Sequence, residues 1–361
     1  MMTEDEKIKK RNEALKSIIL KYKEEILESI EYRLDIIAGM LTNAVITNVI
    51  KNKGAGGSTY VVNADFQTEH GMISGGIVLK YCNDLAAETR NATDLARLMS
   101  KRQKDWDKSL EQNPEMHEKL VKFPEKVFSP KILGIYEEAN CLILEFINNC
   151  IPLIESTIER NFLEKLEILG YSLGRLHGQD HIKVETRLYE PIFTLLKKYV
   201  APDIVDYWKG IIMASSGGVD FIHGDSHLHN ILRSGNTALA WIDGMMVPKS
   251  ERMDDIGYAI SYIVQEEMRQ KFHEKIPFTD FYDDLYERIT REYIPVTLTA
   301  YKRTSDITKL YKGEIPIDFF FGSHMIIRAQ MFPEFFQKNM IRIGKHFIEE
   351  SPVSRLLKSL L

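Results

Sequence analysis

Cysteine is scarce in this chain, with three among 361 residues. Cys82, Cys141 and Cys150 are odd in number and lie in or beside apolar strand-like runs. That argues against a disulfide framework and for reduced core thiols in a cytoplasmic protein, with no nucleophilic cysteine among them. Excess positive charge is also lacking: 47 Lys and Arg stand against 52 Asp and Glu, a net charge of −5. A nucleic-acid partner needs a basic field to neutralise phosphates, so none is expected. No apolar run approaches the roughly 18 residues of a membrane span, and no membrane partner is expected either. The opening Met-Met-Thr-Glu-Asp-Glu is too acidic for a secretory or transit leader. Repeats and low-complexity tracts are missing. What remains is a chain of ordinary hydrophobic content, 44%, long enough for two domains.

The informative stretch is 221–244. Phe221-Ile222 leads into His223-Gly224-Asp225-Ser226-His227-Leu228-His229-Asn230, Ile231-Leu232 follows, and after a turn Ala240-Trp241-Ile242 ends in Asp243-Gly244. Short apolar runs around a polar loop predict strand, loop, strand, turn, strand, delivering Asp225, Asn230 and Asp243 to one end of a small sheet. Phosphoryl transfer needs few protein groups: a carboxylate for the acceptor hydroxyl proton, and an amide and a second carboxylate for magnesium on a triphosphate. The stretch supplies all three. A competing reading takes His223, Asp225, His227 and His229 as alternating metal ligands of a metal-dependent hydrolase. Against it, His70, His117, His177, His181, His273, His324 and His346 are scattered, without the distant ligand clusters such enzymes need.

His-x-Asp with Asn five positions on, and an Asp thirteen beyond that, is the spacing of the protein-kinase catalytic loop and its metal-binding Asp. The run resembles the aminoglycoside phosphotransferase and choline kinase group of small-molecule kinases, whose loop reads His-Gly-Asp-x-His-x-x-Asn-Ile-Leu. His223, Gly224, Asp225, His227, Asn230, Ile231 and Leu232 meet every fixed position. The resemblance covers roughly residues 44–345. It implies an α+β, two-lobed protein-kinase-like fold, with an antiparallel sheet plus one helix in the N-lobe and a mostly helical C-lobe. Asp225 is implied as the catalytic base and His227 as a charge-stabilising neighbour of the γ-phosphate. Asn230 and Asp243 are implied as the Mg2+ ligands, with His223 and Asp255 as structural support of the loop. Two departures stand out. Gly244-Met245 replaces Phe-Gly after the metal-binding Asp, and no Ala-Pro-Glu follows, so a protein substrate is not expected. His229 also stands where small residues are usual.

Upstream, β-like runs at 44–50, 59–66 and 77–81 flank Lys53-Gly54-Ala55-Gly56-Gly57-Ser58. These glycines suit a hairpin turn, and they lack the Gly-Lys-Ser/Thr ending of a P-loop. In the resemblance Gly56, Gly57 and Ser58 cover the nucleotide, Lys80 contacts the α and β phosphates, and Glu88 pairs with Lys80. The apolar run Cys141–Phe146 ends in Leu144-Glu145-Phe146-Ile147, which resembles the inter-lobe hinge, with backbone at Glu145, Phe146 and Ile147 reading the base of ATP or GTP. Residues 4–41 read as amphipathic helices that pack on their own lobe or pair with a second copy as a coiled coil. The charged stretch 100–126, interrupted by Pro114, reads as solvated helices inserted in the N-lobe. The expected domains are therefore 1–43, a helical extension; 44–147, the nucleotide lobe; and 148–361, the catalytic and acceptor lobe.

Past the centre, Asn161 and Glu164 predict a helix cap, and an apolar stripe ends at His177, expected to be structural. Residues 251–292 hold eleven Asp or Glu against six Lys or Arg. An acidic wall there would favour a cationic, hydroxylated small-molecule acceptor. A nucleotide-binding scaffold without activity is the alternative of a different class, although every residue the chemistry requires is present.

Overall fold

The computed structural model describes residues 43–354 apart from 55–56, 69–70, 114, 116–119, 121, 138–139, 148–149, 158, 160, 236, 306, 308–310 and 312–313. The expected N-terminal helices, and any pairing through them, lie outside the described residues, as does Gly56. Two compact units emerge, one taking the chain to Arg97 together with Phe128–Cys150, the other Leu98–Val127 together with the chain from Ile151 onward.

The first unit is a five-stranded antiparallel sheet. Strands β1 (Asn43–Gly54), β2 (Gly57–Thr68) and β3 (Gly71–Cys82) form a meander. A hairpin of β4 (Ile132–Tyr136) and β5 (Cys141–Glu145) adds β5 to β3, giving the order β1-β2-β3-β5-β4. The strands outrun the apolar stretches of the sequence because ladder bonds come from the backbone and tolerate polar side chains. Helix α1 (Leu85–Gln112) starts where Asp84 Oδ1 accepts from the Ala87 N–H at 3.0 Å, a side-chain cap for one of the orphan donors of the first turn. Leu79, Cys82, Leu95, Cys141, Leu142 and Ile143 are buried. Burial and the neighbouring Cys82 push the Cys141 thiol up to about 12, so it is no nucleophile, and none of the three cysteines is in a disulfide.

The stretch 100–126 departs from expectation. It is grouped with the second unit rather than inserted in the first, and α1 runs unbroken through it to Gln112. Nor is it simply solvated. Arg102 and Trp106, one helical turn apart, are both buried. Arg102 donates to the Leu176 carbonyl at 3.1 Å and pairs with Asp180, while the Arg175 guanidinium lies 4.2 Å from the Trp106 ring centroid. Counting charges missed this because an arginine buries its stem readily once a carboxylate meets its head.

The second unit is mostly helical. Asn161 caps α2 (Phe162–His177) by accepting from the Glu164 N–H at 3.0 Å. Strands β6 (Gly218–Ile222) and β9 (Val247–Glu251) pair with each other, and β7 (Ile231–Ser234) with β8 (Ala238–Trp241), so the predicted strand, loop, strand, turn, strand order is what forms. Then come α3 (Arg252–His273), α4 (Phe278–Arg288), a π-helical turn (Ile289–Tyr293), α5 (Ile294–Tyr301), α6 (Ile317–Ala329) and α7 (Glu334–Glu350). Among the described residues no helix is long and apolar enough to cross a membrane.

Two glycines let α2 approach α5 closely. A Cβ built on Gly170 would sit 2.1 Å from the Thr297 carbonyl oxygen, and one on Gly174 would sit 2.8 Å from that of Tyr301. Gly170→Ala therefore sets helix propensity, which favours Ala by about 1 kcal/mol, against a backbone clash of about 1–3 kcal/mol. The clash should win, and urea unfolding should show a lower midpoint; a stabilised variant would mean that the helices are not in backbone contact there.

Candidate active site

The predicted loop is fixed by one carboxylate on α3. Asp255 is fully buried, and Oδ2 accepts from the His223 N–H at 2.7 Å while Oδ1 accepts from the Gly224 N–H at 2.8 Å. The Asp255 carbonyl accepts the Ser226 hydroxyl at 2.7 Å. Burial alone would raise the Asp255 pKa, but the hydrogen bond from His177 and the loop N–H groups outweigh it, and the carboxylate is held below its ordinary range. His177 is the partner on α2. Its Nε2 lies 3.0 Å from Asp255 Oδ2 and its Nδ1 2.8 Å from the Tyr301 hydroxyl. Burial lowers the His177 pKa, so a neutral ring donates to Asp255 and accepts from Tyr301, a structural role.

His223 is buried as well. Its Nε2 meets the Ile242 carbonyl at 2.9 Å and its Nδ1 accepts from the Asp225 N–H at 3.3 Å. Both ring nitrogens are thus committed within the loop, which takes His223 out of any ligand set. Among the described residues no three His, Cys, Asp or Glu are grouped to hold a metal ion. Gly224 adopts φ 79°, a left-handed conformation in which glycine alone is unstrained, and this turns the chain so that Asp225 follows.

Asp225 is gripped on both oxygens. Asn230 Nδ2 donates to Oδ2 at 3.0 Å and to the Asp225 carbonyl at 2.9 Å. The Tyr258 hydroxyl donates to Oδ1 at 2.5 Å. Because the Asn230 amino group is spent on Asp225, its amide oxygen is the atom left to face a cation. The Asn230 carbonyl in turn accepts from the Ile242 N–H at 3.0 Å, which sets Asp243 as the next residue after that tie. Asp243 itself has φ 57°, strained for a residue with a Cβ, as backbones at functional sites often are. An amide oxygen and a carboxylate are hard donors that fit a magnesium ion completing its shell with phosphate and water.

His227 stacks on Tyr262, ring centroids 4.5 Å apart and planes 20° apart, with Nε2 3.6 Å from Asp225 Oδ1. Burial lowers its pKa to about 4 despite the attraction of Asp225. The ring is therefore neutral at pH 7 and offers an N–H and a lone pair rather than a positive charge.

In the first unit, Lys80 on β3 reaches Glu88 on α1, Nζ to Oε2 2.7 Å. Gly57 and Ser58 open β2, paired with Gly54 and Lys53. At the expected hinge, the Glu145 N–H is taken by the Lys131 carbonyl at 2.9 Å and the Glu145 side chain accepts the Lys131 N–H at 2.9 Å. The Glu145 N–H is thus already engaged, and Phe146 and Ile147 lie just past the end of β5.

Beside the loop lies a cavity of about 880 Å³ lined by Leu228, His229, Tyr262, Glu266, Glu267 and Tyr293, among others. The π-helical turn brings Tyr293 to it, and its hydroxyl donates to Glu267 at 2.9 Å. Of the acids read as a wall, Glu266 and Glu267 line the cavity, whereas Asp280, Asp283 and Asp284 are exposed on α4 and do not. Sequence reading missed Tyr258, Tyr262 and Arg328. Asp255, Tyr258 and Tyr262 stand at i, i+3 and i+7 on one helix face, a spacing visible in the sequence; nothing local marks Arg328.

No protein-family model matches the sequence, and no curated protein does. Solved structures that it resembles include a choline kinase from Streptococcus pneumoniae (TM-score 0.37, 12% identity, covering 84% of this chain and 94% of that one). An ethanolamine kinase from Plasmodium vivax scores 0.37 at 14% identity, covering 86% and 82%. An aminoglycoside phosphotransferase from Alicyclobacillus acidocaldarius scores 0.37 at 12%, covering 87% and 91%. All three are small-molecule kinases, the group that the loop motif resembles.

The depressed His227 pKa carries a sign. A histidine whose pKa is lowered by folding contributes stability above its unfolded value near 6.5, and that contribution is lost as pH falls towards 4. The stability advantage of wild type over His227→Gln should shrink between pH 6.5 and 4 in chemical denaturation. A pH-independent difference would show that the ring is not held neutral.

Proposed function

We propose that this protein is a small-molecule phosphotransferase, moving the γ-phosphoryl group of ATP or GTP to a hydroxyl of a hydroxylated acceptor. The observation that carries the reading is the shared anchoring of Asp225, Asn230 and Asp243: one carboxylate held by Asn230, whose amide oxygen remains for a cation, and a second carboxylate tied in next to it through Ile242. Magnesium on the triphosphate supplies charge neutralisation of the transferring group. Asn230 and Asp243 would hold it. Asp225 orients the acceptor hydroxyl and takes its proton, a contribution of about 10²- to 10⁴-fold in enzymes of this kind. His227, neutral and 3.6 Å from Asp225, offers hydrogen bonding at the same place. In the first unit, the Lys80–Glu88 pair fixes an ammonium for the α and β phosphates.

The cavity beside Leu228 and His229 is the acceptor site in this reading. Its lining holds Glu266, Glu267 and Glu274 together with Arg269, Phe162, Tyr262 and Tyr293. Carboxylates with aromatic faces favour a cation, through charge and cation–π attraction together. Part of that field is offset, since Glu267 pairs with Arg288 and Glu266 with Arg269. The cationic class, an amino sugar, aminoglycoside or choline-like alcohol, therefore rests on the aromatics as much as on the acids.

Incubation with ATP, GTP, magnesium and a panel of hydroxylated metabolites, followed by mass spectrometry, should give a cationic product heavier by one phosphoryl group, and none with Asp225→Asn. Equal product from Asp225→Asn would remove the base assignment. Phosphorylation of neutral acceptors alone would overturn the cationic class and leave phosphotransfer standing.

A further inference from the structure

Outside the loop motif, Tyr258 contacts Asp225 directly and Arg328 backs Tyr258. Tyr258 on α3 donates its hydroxyl to Asp225 Oδ1 at 2.5 Å, and Arg328 on α6 donates Nη1 to the same hydroxyl oxygen at 2.9 Å. Arg328 is itself fixed: its Nε donates to Gln265 Oε1 at 2.6 Å, and its guanidinium lies 5.2 Å from the Tyr258 ring centroid and 4.8 Å from that of Tyr262. Tyr262 is the ring on which His227 stacks.

The direction of the protons follows from the donor inventory. A guanidinium can only donate, so the phenol oxygen must accept from Arg328, and the single phenol proton is left to go to Asp225. A phenol without such a partner could rotate and accept a proton elsewhere. We propose that Tyr258 and Arg328 form a positioning clamp that holds the Asp225 carboxylate in the orientation needed to meet an acceptor hydroxyl. The Asp side-chain torsion next to the carboxylate is broad and weakly held on its own. Here Asn230 fixes one oxygen and Tyr258 the other, so the carboxylate plane is set by two elements remote from each other in sequence. A carboxylate still has further lone pairs for the acceptor proton. Burial and the Asp225 charge raise the Tyr258 pKa, which keeps the phenol protonated as the clamp requires. The proposal rests on the phosphotransfer reading, in which Asp225 is the base.

The test measures ADP release from magnesium–ATP by the full chain, with water alone and with choline, ethanolamine and glucosamine added, for wild type, Asp225→Asn, Tyr258→Phe, Arg328→Gln and the double variant of the last two. Phe keeps the ring beneath Arg328, and thermal unfolding checks that each variant folds. Misplacement of a catalytic group typically costs about 10²-fold, so Tyr258→Phe should lose that order in kcat while the KM for ATP stays within about twofold. Arg328→Gln should add nothing on the Tyr258→Phe background, because both act through one hydrogen bond. Should Tyr258→Phe not fold, Arg328→Gln alone is held to the same split between kcat and KM. An inactive Asp225→Asn beside a fully active Tyr258→Phe would overturn the clamp and leave the phosphotransfer reading intact. Additive losses in the double variant would overturn it too, by making both roles mere packing. Equal release from wild type and Asp225→Asn would remove the base assignment and the clamp with it.

Discussion

A single buried carboxylate organises the second unit. Asp255 gathers the His223 and Gly224 N–H groups, the His177 imidazole and, through its carbonyl, the Ser226 hydroxyl. A buried charge is tolerable only when its lone pairs are filled, and removing one partner from such a set costs about 3–5 kcal/mol. The loop backbone is therefore the solvent of Asp255, and its shape is dictated by that need. Everything that bears on chemistry inherits its position from it: Gly224 turns in the left-handed region, Asp225 projects from the turn, and Asn230 bonds back to Asp225.

Much of this was legible in the sequence because the loop is local. Residues within eight positions of one another carry the His-Gly-Asp-x-His-x-x-Asn pattern, and the next strand returns Asp243 beside them through one backbone bond from Ile242 to Asn230. Asp255 and His177 were likewise expected as supports, and Lys80 meets Glu88 as the family resemblance implies. Illegible were the contacts that depend on tertiary placement. Arg328 lies 70 residues beyond Tyr258, and no local pattern says that α6 will bring its guanidinium to that hydroxyl. Arg102 and Trp106 looked like members of a charged, solvated segment because composition cannot tell a paired arginine from a free one. Nor does sequence report the burial against Tyr262 that sets the protonation of His227.

The cavity shows the same limit in electrostatic form. A count of acids over 251–292 pointed to a negative wall, yet helical geometry sends Asp280, Asp283 and Asp284 to solvent and pairs Glu267 with Arg288. What the fold adds in exchange is aromatic surface, with Tyr293 carried to the cavity by a π-helical turn that the sequence gives no sign of. Under the proposed function, selectivity in this cavity would come from shape and π-faces working with a modest field rather than from net charge.

The central claim is that Asp243 and Asn230 carry a metal-dependent nucleotide function while Asp225 serves the acceptor. Calorimetric titration of ATP, with and without magnesium, into wild type, Asp225→Asn, Asp243→Asn and Lys80→Ala separates these roles most directly. The account predicts magnesium-dependent binding in wild type, the same binding in Asp225→Asn, and clear losses in Asp243→Asn and Lys80→Ala. Unchanged affinity for ATP in Asp243→Asn and Lys80→Ala, or binding indifferent to magnesium, would contradict it.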